Sequence, residues 1–377
     1  MPLSRWSASD ASYTVGVEEE FHLVDVQTGE LRPAGSTVLD AAPKVDGAVE
    51  AELQRSQVET GTPPARALAD VRVGLVGLRR ALGEAAADAG CRLAASGTHP
   101  SAHRPAEVFT DDERYRAIAE AFGPVARQQT VCGCHVHVAV PDRELGIAVL
   151  NRVRPWLPVL LALSVNSPFW LGEDSGYASY RSQVWTRWPT AGTAWVFESR
   201  AEYDALREAL IRSGVVLDAG MLYFDVRPSA RYETLEFRVA DVSLDVDGAV
   251  LLAGLTRALV VSCAQAAARE EPYDRVRPEL LRVAHWRAGR SGLSGELVDL
   301  RTGHPVPAWE LVEDFVELIR PALASIGDEL EVTELLDGLR RHGTGAERQR
   351  TAYRRRRSLA DVVELIVGET AGPARPG

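Results

Sequence analysis

Tyr13-Thr-Val-Gly-Val-Glu-Glu-Glu-Phe-His-Leu-Val24 alternates like a β-strand. Side chains two apart share a face, so Val15, Val17, Phe21 and Leu23 point one way, interrupted only by Glu19. Thr14, Gly16, Glu18, Glu20 and His22 point the other way. A rise near 3.3 Å per residue sets Glu18 and Glu20 about 6–7 Å apart. With an effective dielectric near 20, their repulsion is about 2–3 kcal/mol. A half-buried sheet bears that cost only with a proton, a cationic side chain or a metal nearby. The plainer alternative is a solvated face on an edge strand.

Moving outward, the whole chain has a globular composition: 377 residues, 46% hydrophobic and 25% charged, which is ample for a core. The net charge of −11 disfavours nucleic-acid binding. Cys91, Cys132, Cys134 and Cys263 form no disulfide framework, and Met1–Asp10 lacks the apolar run of a signal peptide. A cytoplasmic location is therefore expected. Ala249–Ala268 is long enough to span a bilayer, but Arg257 sits near its middle, so a buried core helix is expected instead and no membrane partner. A homo-oligomer is compatible with this composition.

In chain order, Gln27-Thr-Gly29 reads as a turn and Val49–Thr60 as a polar, partly alternating stretch carrying Glu50, Glu52 and Glu59. Thr62-Pro-Pro64 is expected to start a helix, with Leu68, Val71, Leu75, Leu78 and Leu82 at helical spacing and Gly90 closing it. Cys91–Ala95 is a short strand, followed by the loop Gly97-Thr-His-Pro100. Thr110-Asp-Asp-Glu113 has the pattern of a capping box. Val131–Val140 is a strand, and Asp142 to about Val165 a helix bent at Pro155 and Pro158. Asn166–Gly192 reads as a long loop, expected to border a functional site and to order on substrate binding. Tyr203–Ser213 is a helix stopped by Gly214. Tyr223–Arg227 and Thr234–Val239 are strands. From Asp245 to about Val367 the chain reads as mostly helical, with Gly368–Gly377 a loose tail. No repeat or clean boundary appears, so residues 1–377 are expected to form one catalytic domain with an ordered core of about 13–367.

Four strands share one design. Cys134, Val136, Val138 and Val140 oppose His135 and His137. Phe224 and Val226 oppose Asp225 and Arg227. Leu235, Phe237 and Val239 oppose Glu236 and Arg238. A sheet face carrying carboxylates, imidazoles and guanidiniums can hold divalent cations and phosphates. Solvated faces share this pattern, and a structural histidine remains the alternative for His135 or His137. A zinc site in Cys132-Gly-Cys134-His135-Val-His137 is disfavoured, because cysteines and histidines face opposite sides of a strand. No Walker loop, Rossmann fingerprint or nucleophile elbow is present. Arg354–Arg357 reads as a solvated helix face, and Gly343–Arg350 as a loop able to close over a charged ligand.

These motifs in their order resemble a known family. Thr14-Val-Gly-Val-Glu-Glu-Glu20, Gly97-Thr-His-Pro100, Asp112-Glu-Arg-Tyr115, Gly133-Cys-His-Val-His-Val138, Asn166-Ser-Pro-Phe-Trp170, Gly176–Arg181, Trp188–Gly192, Asp225-Val-Arg-Pro-Ser229, Thr234–Asp241 and Gly345–Arg350 are similar to the glutamate–cysteine ligase type 2 family. The resemblance implies an α+β, glutamine-synthetase-like fold: a curved antiparallel sheet with helices on its convex face. It implies an ATP-dependent carboxylate–amine ligase using Mg²⁺ or Mn²⁺, with glutamate and cysteine or another amine as substrates. By motif, Glu18, Glu20, Glu52, Glu59 and Glu236 would bind metal. His135, His137, Arg238 and Arg348 would serve the nucleotide, and Arg181, Arg227 and Arg238 the reacting carboxylate or phosphate. Glu19 departs from the family pattern, where an apolar residue is usual, and so bears on the register of the first strand. A guanidino-kinase-like phosphotransferase and a non-catalytic binding protein are the alternative readings.

Overall fold

The computed structural model describes residues 13–101 and 109–372. The chain runs β1 (Val15–Asp25), α1 (Gly35–Ala41), β2 (Ala48–Ala51), β3 (Gln57–Gly61), α2 (Leu68–Asp88), β4 (Cys91–Ala94), α3 (Glu113–Phe122), α4 (Pro124–Arg127), β5 (Gly133–Ala139), α5 (Arg143–Val153) and α6 (Leu157–Ser164). It continues with β6 (Phe169–Trp170), β7 (Glu173–Asp174), α7 (Arg181–Trp185), α8 (Arg200–Arg212), β8 (Val226–Pro228), β9 (Thr234–Asp241), α9 (Val246–Ala268) and α10 (Pro278–Ser291). A hairpin of β10 (Glu296–Asp299) and β11 (His304–Pro307) precedes α11 (Ala308–Ile326), α12 (Glu329–His342), α13 (Gly345–Arg356) and α14 (Leu359–Ala371).

β1 is central to an antiparallel seven-stranded sheet ordered β2-β3-β1-β5-β9-β8, with β4 also paired to β1. The alternation read in the sequence sets its two faces. Val15, Val17, Val136, Val138, Leu235 and Phe237 are buried in one core with α5, α6 and α9. Phe21, Leu23 and Val58 pack with Leu82 of α2 in a second. Glu19 lies on this apolar side and is fully buried. Arg79 of α2 meets it with two hydrogen bonds, Nε–Oε2 at 2.9 Å and Nη2–Oε1 at 2.5 Å. The remaining Arg79 donors reach the carbonyls of Ser243 and Leu244. The register of β1 is therefore the one its alternation predicts, and Glu19 is a paired structural acid.

Two helical stretches, Arg143–Ser164 and Val246–Ala268, are apolar and long enough to cross a membrane by length and composition. The most apolar window of each is 78% and 83% buried inside the protein, which marks both as core helices. Arg257 in α9 pairs with Asp328 and donates to the carbonyl of Arg66, so its charge is held within the core.

Several boundaries differ from expectation. Thr62-Pro-Pro64 does not start α2. Thr62 prolongs the sheet instead, donating to Val17 O while its Oγ1 accepts from Val17 N, and the helix begins at Leu68. Val49–Thr60 divides into β2 and β3, with Glu52 in the connection. Asp112, not Thr110, caps α3. The second late strand pair is shifted: Val226–Pro228 is strand, while Tyr223 precedes it. The β10–β11 hairpin interrupts the C-terminal helices, and α14 runs through Ala371, leaving only residues 373–377 of the expected tail outside the described residues.

Asn166–Gly192 is not an open loop. It contains β6, β7 and α7, and is tied to the sheet by Asp241 at the end of β9. That carboxylate accepts from Asn166 N, Ser167 Oγ and Ser179 Oγ at 2.7–2.8 Å. Gly343–Arg350 is likewise no loop. Thr344 and Glu347 form a capping box that opens α13, a Thr-x-x-Glu signature present in the sequence.

Candidate active site

The polar face of the sheet opens into a cavity of about 1040 Å³. Register builds its floor. Glu18 lies opposite His135, Glu20 opposite Glu59, and His137 opposite Glu236, which in turn faces Arg227. Two ligand groups result, each with its atoms within 4.8 Å of one another: Glu18, Glu59 and His135, and Glu18, His137 and Glu236. Glu18 belongs to both. Its Oε2 is 3.3 Å from His135 Nδ1 and 3.2 Å from His137 Nε2. Glu20 Oε1 lies 3.5 Å from His135 Nε2, while its Oε2 accepts from Gly133 N at 2.6 Å.

On the β8–β9 side, Arg227 grips Glu236 in a fork, Nε–Oε2 at 2.9 Å and Nη2–Oε1 at 3.0 Å. Arg238 pairs with the same carboxylate and lies over the Trp185 ring. Arg227 also donates to the carbonyls of Gly220 and Leu222, which fixes its plane.

Electrostatics divide the carboxylates. Burial, then the negative charge of Glu52, pushes the Glu20 carboxyl up to about 8. Burial and the charges of Glu18, Glu52 and Glu20 push Glu59 well above the ordinary range. Burial also raises Glu52, even though Leu53 N donates to it. Burial opposes the charge on Glu18 too, but the imidazoles of His135 and His137 prevail and hold it low. Glu236 is likewise held low, against burial, by Arg238 and Arg227. Burial and the Arg238 charge pull His135 down to about 4, so its ring is neutral.

With Nδ1–H directed at Glu18, His135 turns a bare Nε2 toward Glu20. Neither that atom nor His137 Nε2 makes a hydrogen bond among the described residues. Imidazole lone pairs and carboxylate oxygens facing each other in a buried space are a donor set for a divalent cation: the carboxylates suit Mg²⁺ or Mn²⁺, and the imidazoles suit borderline metals such as Zn²⁺ or Fe²⁺.

The glutamate–cysteine ligase family 2 model matches residues 14–365. The chain belongs to this family. A relative in Frankia alni, named "Putative glutamate--cysteine ligase 2-2", is 52% identical over 96% of this chain and 98% of its own. One in Salinispora arenicola, named "Putative glutamate--cysteine ligase 2", is 48% identical over 97% of this chain and 96% of its own. Among solved structures, a glutamate–cysteine ligase of Francisella tularensis in complex with AMP superposes with a TM-score of 0.67 at 13% identity, covering 97% of this chain and 90% of that one. A bifunctional glutathione synthetase of Pasteurella multocida also gives 0.67 at 17% identity, over 96% of this chain and 52% of that one. The fold is the α+β, glutamine-synthetase-like arrangement.

Within this family fold, the expected site residues separate into two sets. Glu18, Glu20, Glu59, His135, His137, Glu236, Arg227 and Arg238 come together in the cavity. Glu52 borders it but belongs to neither ligand group. Arg181 does not face the cavity. It is 1% exposed beneath Trp185, donates to the carbonyls of Arg238 and Val239, and lies 4.0 Å from Asp241. Arg348 lies elsewhere, joined to Asp245 at the start of α9 and to Glu369 of α14. Arg181 was expected at the substrate from the family motif Gly176–Arg181 and Arg348 at the nucleotide from the glycine-bearing stretch Gly343–Arg350; Arg181 instead opens α7 and Arg348 lies in the first turn of α13. The cavity also takes in Gln57, Arg114, Tyr115, Gln129, Trp185 and Trp188, which sequence patterning did not single out as site residues. Asp112-Glu-Arg-Tyr115 and Trp188–Gly192 were part of the family resemblance, whereas Gln57 and Gln129 carry no periodic or motif signal.

Proposed function

We propose that the chain is an ATP- and Mg²⁺-dependent ligase that joins the γ-carboxylate of glutamate to an amine, with cysteine the acceptor that the relatives' names point to. The observation that carries this reading is the convergence of Glu18, Glu20, Glu59, His135, His137 and Glu236 beside Arg238 on one sheet face. Glu18, Glu59 and His135 would hold one cation and Glu18, His137 and Glu236 another, with Glu20 close to the first. ATP supplies the phosphoryl group that activates the carboxylate, and the cations neutralise its oxygens when bound. Arg238 presents a fork toward phosphoryl oxygens, and Glu236 and Trp185 hold its plane. Arg227 fixes Glu236 from the other side. Arg181 supports this pair from below and does not touch substrate. The described chain would act as one catalytic domain.

The test is ADP formation with saturating glutamate and amine across a Mg²⁺ titration. Arg238→Lys keeps charge but loses the fork and should lose about 10³-fold in turnover. Glu236→Gln should regain part of its loss at high Mg²⁺. Near wild-type turnover for Arg238→Lys would leave that residue a structural ion pair. ADP formation without release of inorganic phosphate, the phosphoryl group staying on its acceptor, would instead favour a phosphotransferase.

A further inference from the structure

Among the described residues lining the cavity, four carry a guanidinium, and three of these are committed within the protein. Arg227 and Arg238 are buried on Glu236, and Arg114 is held by both oxygens of Asp218. Arg231 differs. Its only ion pair among the described residues is with Glu50, and that pair lies in solvent, its side chains 71% and 50% exposed. Only Nη1 takes part, at 3.4 and 3.3 Å from the two carboxylate oxygens, so no fork forms. An exposed pair of this geometry contributes little and is readily exchanged.

Its position makes such an exchange useful. Glu50 belongs to β2 and Arg231 to the tip at residues 229–233 that joins β8 to β9. These lie at opposite ends of the strand order, so the pair spans the mouth of the cavity. Beside Arg231, the exposed ring of Tyr232 stands edge-on to His137 at 5.8 Å, which sets the tip over the group Glu18, His137 and Glu236. The backbone of the tip is fixed: Ser229 Oγ accepts from Arg231 N and Tyr232 N, and Ser229 N donates to Thr234 O. A second cavity of about 270 Å³ also runs along this tip, so the guanidinium has open space on either side. The freedom here belongs to the side chain rather than to the hairpin.

We propose that Arg231 is a phosphate-binding residue held in reserve: without nucleotide it rests on Glu50, and when nucleotide enters it leaves Glu50 for oxygens of the polyphosphate. This rests on the ligase reading above. A polyphosphate offers the guanidinium the two-point contact that Glu50 does not make, and phosphoryl transfer depends on neutralising phosphate charge. Glu50 is then a competitor of the nucleotide, and its removal acts in the opposite sense to removal of Arg231.

The experiment is a double-mutant cycle on Arg231 and Glu50. It is read in the KM for ATP at saturating Mg²⁺, glutamate and cysteine, and in the Kd of Mg²⁺–ATP by calorimetry. Arg231→Ala should raise both constants about tenfold and leave the KM for glutamate unchanged. Arg231→Lys, a point charge without the fork, should recover only part of that loss. Glu50→Gln should lower both constants about two- to fivefold in the wild type and have no effect in Arg231→Ala. Both side chains are exposed, so the fold should survive each change. A rise in Glu50→Gln would make the pair a structural clasp, and an equal fall with and without Arg231 would be a general charge effect; either overturns the proposal. So does an Arg231→Ala effect that falls on glutamate, or no effect at all. If no amine supports turnover, the ligase reading fails by itself, and the Kd cycle still decides. Opposite, non-additive shifts then support the exchange, and any other pattern, or a wild type that binds no Mg²⁺–ATP, overturns it.

Discussion

Glu19 and its neighbours Glu18 and Glu20 occupy one strand, yet the two faces of β1 treat a buried carboxylate in opposite ways. Behind the sheet, Glu19 is enclosed completely and every exposed alternative is replaced by Arg79, which meets both its oxygens. In front, burial and then the charge of Glu52 push Glu20 up, burial and the charges of Glu18, Glu52 and Glu20 push Glu59 up, and the Nε2 atoms of His135 and His137 make no hydrogen bond among the described residues. A paired buried acid with its lone pairs filled is a structural element. A cluster of buried acids whose repulsion the nearby guanidiniums do not cancel fits the cation-holding role proposed above. The contrast separates the two roles more sharply than burial or residue type does, because all three side chains are glutamates on adjacent positions.

The largest expected effect comes from breaking the rear pair. Arg79→Ala leaves Glu19 charged and unpartnered in an apolar layer and should cost about 3–5 kcal/mol, read as a fall in the urea midpoint. Adding Glu19→Leu should recover most of that loss, since an apolar replacement of both partners is close to neutral. Failure of the double variant to recover would mean that Arg79 acts chiefly through the carbonyls of Ser243 and Leu244.

The front cluster should respond in the opposite sense. Glu59→Gln removes a repelling charge, so stability without divalent cation should hold or rise by up to about 1 kcal/mol. Mg²⁺ at a hundredfold its Kd should stabilise the wild type by about 2.7 kcal/mol. The variant should lose most of that gain, visible as a Tm that no longer moves with Mg²⁺. An unchanged Mg²⁺-dependent Tm shift in Glu59→Gln would break the comparison.

The smallest effect concerns proton linkage. Buried His99 is satisfied as a neutral ring: it donates Nε2–H to Gly29 O and accepts from Ser101 N at Nδ1. Burial pulls it down to about 4, below its unfolded value of 6.5. Its contribution is present above pH 6.5 and is lost as pH falls toward 4, by at most about 1.4 kcal/mol per pH unit. Glu20 has the other sign. Its contribution is complete below 4.5 and is lost as pH rises through about 8. Urea melts at pH 5, 6 and 7 should therefore show a shallower acid-side slope in His99→Gln than in wild type, and Mg²⁺ should flatten the alkaline-side loss. An acid-side slope unchanged in His99→Gln would show that His99 is not protonated on unfolding.

Much of this was legible because the sheet repeats a period of two. Val15, Val17, Val136, Val138, Leu235 and Phe237 assigned the core face, and with it the placement of Glu18, Glu20, His135, His137, Glu236 and Arg238. What alternation leaves open is tertiary partnership. Glu19 looked like an interruption because its partner lies sixty residues away on another element. Asn166–Gly192 read as a long loop, rich in Gly, Ser, Tyr, Trp and Arg, that would order on substrate binding, whereas the buried carboxylate of Asp241 already ties Asn166, Ser167 and Ser179 to the sheet. Arg348 looked like a ligand contact because two glycines precede it, although Thr344 and Glu347 already spelled a helix cap. Gln57 and Gln129 are ordinary residues in sequence, and only the folded chain brings them to the cavity.

The Glu19–Arg79 pair also has a consequence for how the chain folds. A β-strand can pair in several alignments, and a shift by one residue would turn Glu18 and Glu20 toward α2 together, two acids against a single guanidinium. A shift by two would set Val17 or Phe21 against Arg79 and strand Glu19 among aliphatic side chains. Only one alignment neutralises the apolar layer. The helix thus selects one register of the central strand, and the alignment of the neighbouring strands, from β3 to β5 and on to β9, is set relative to it.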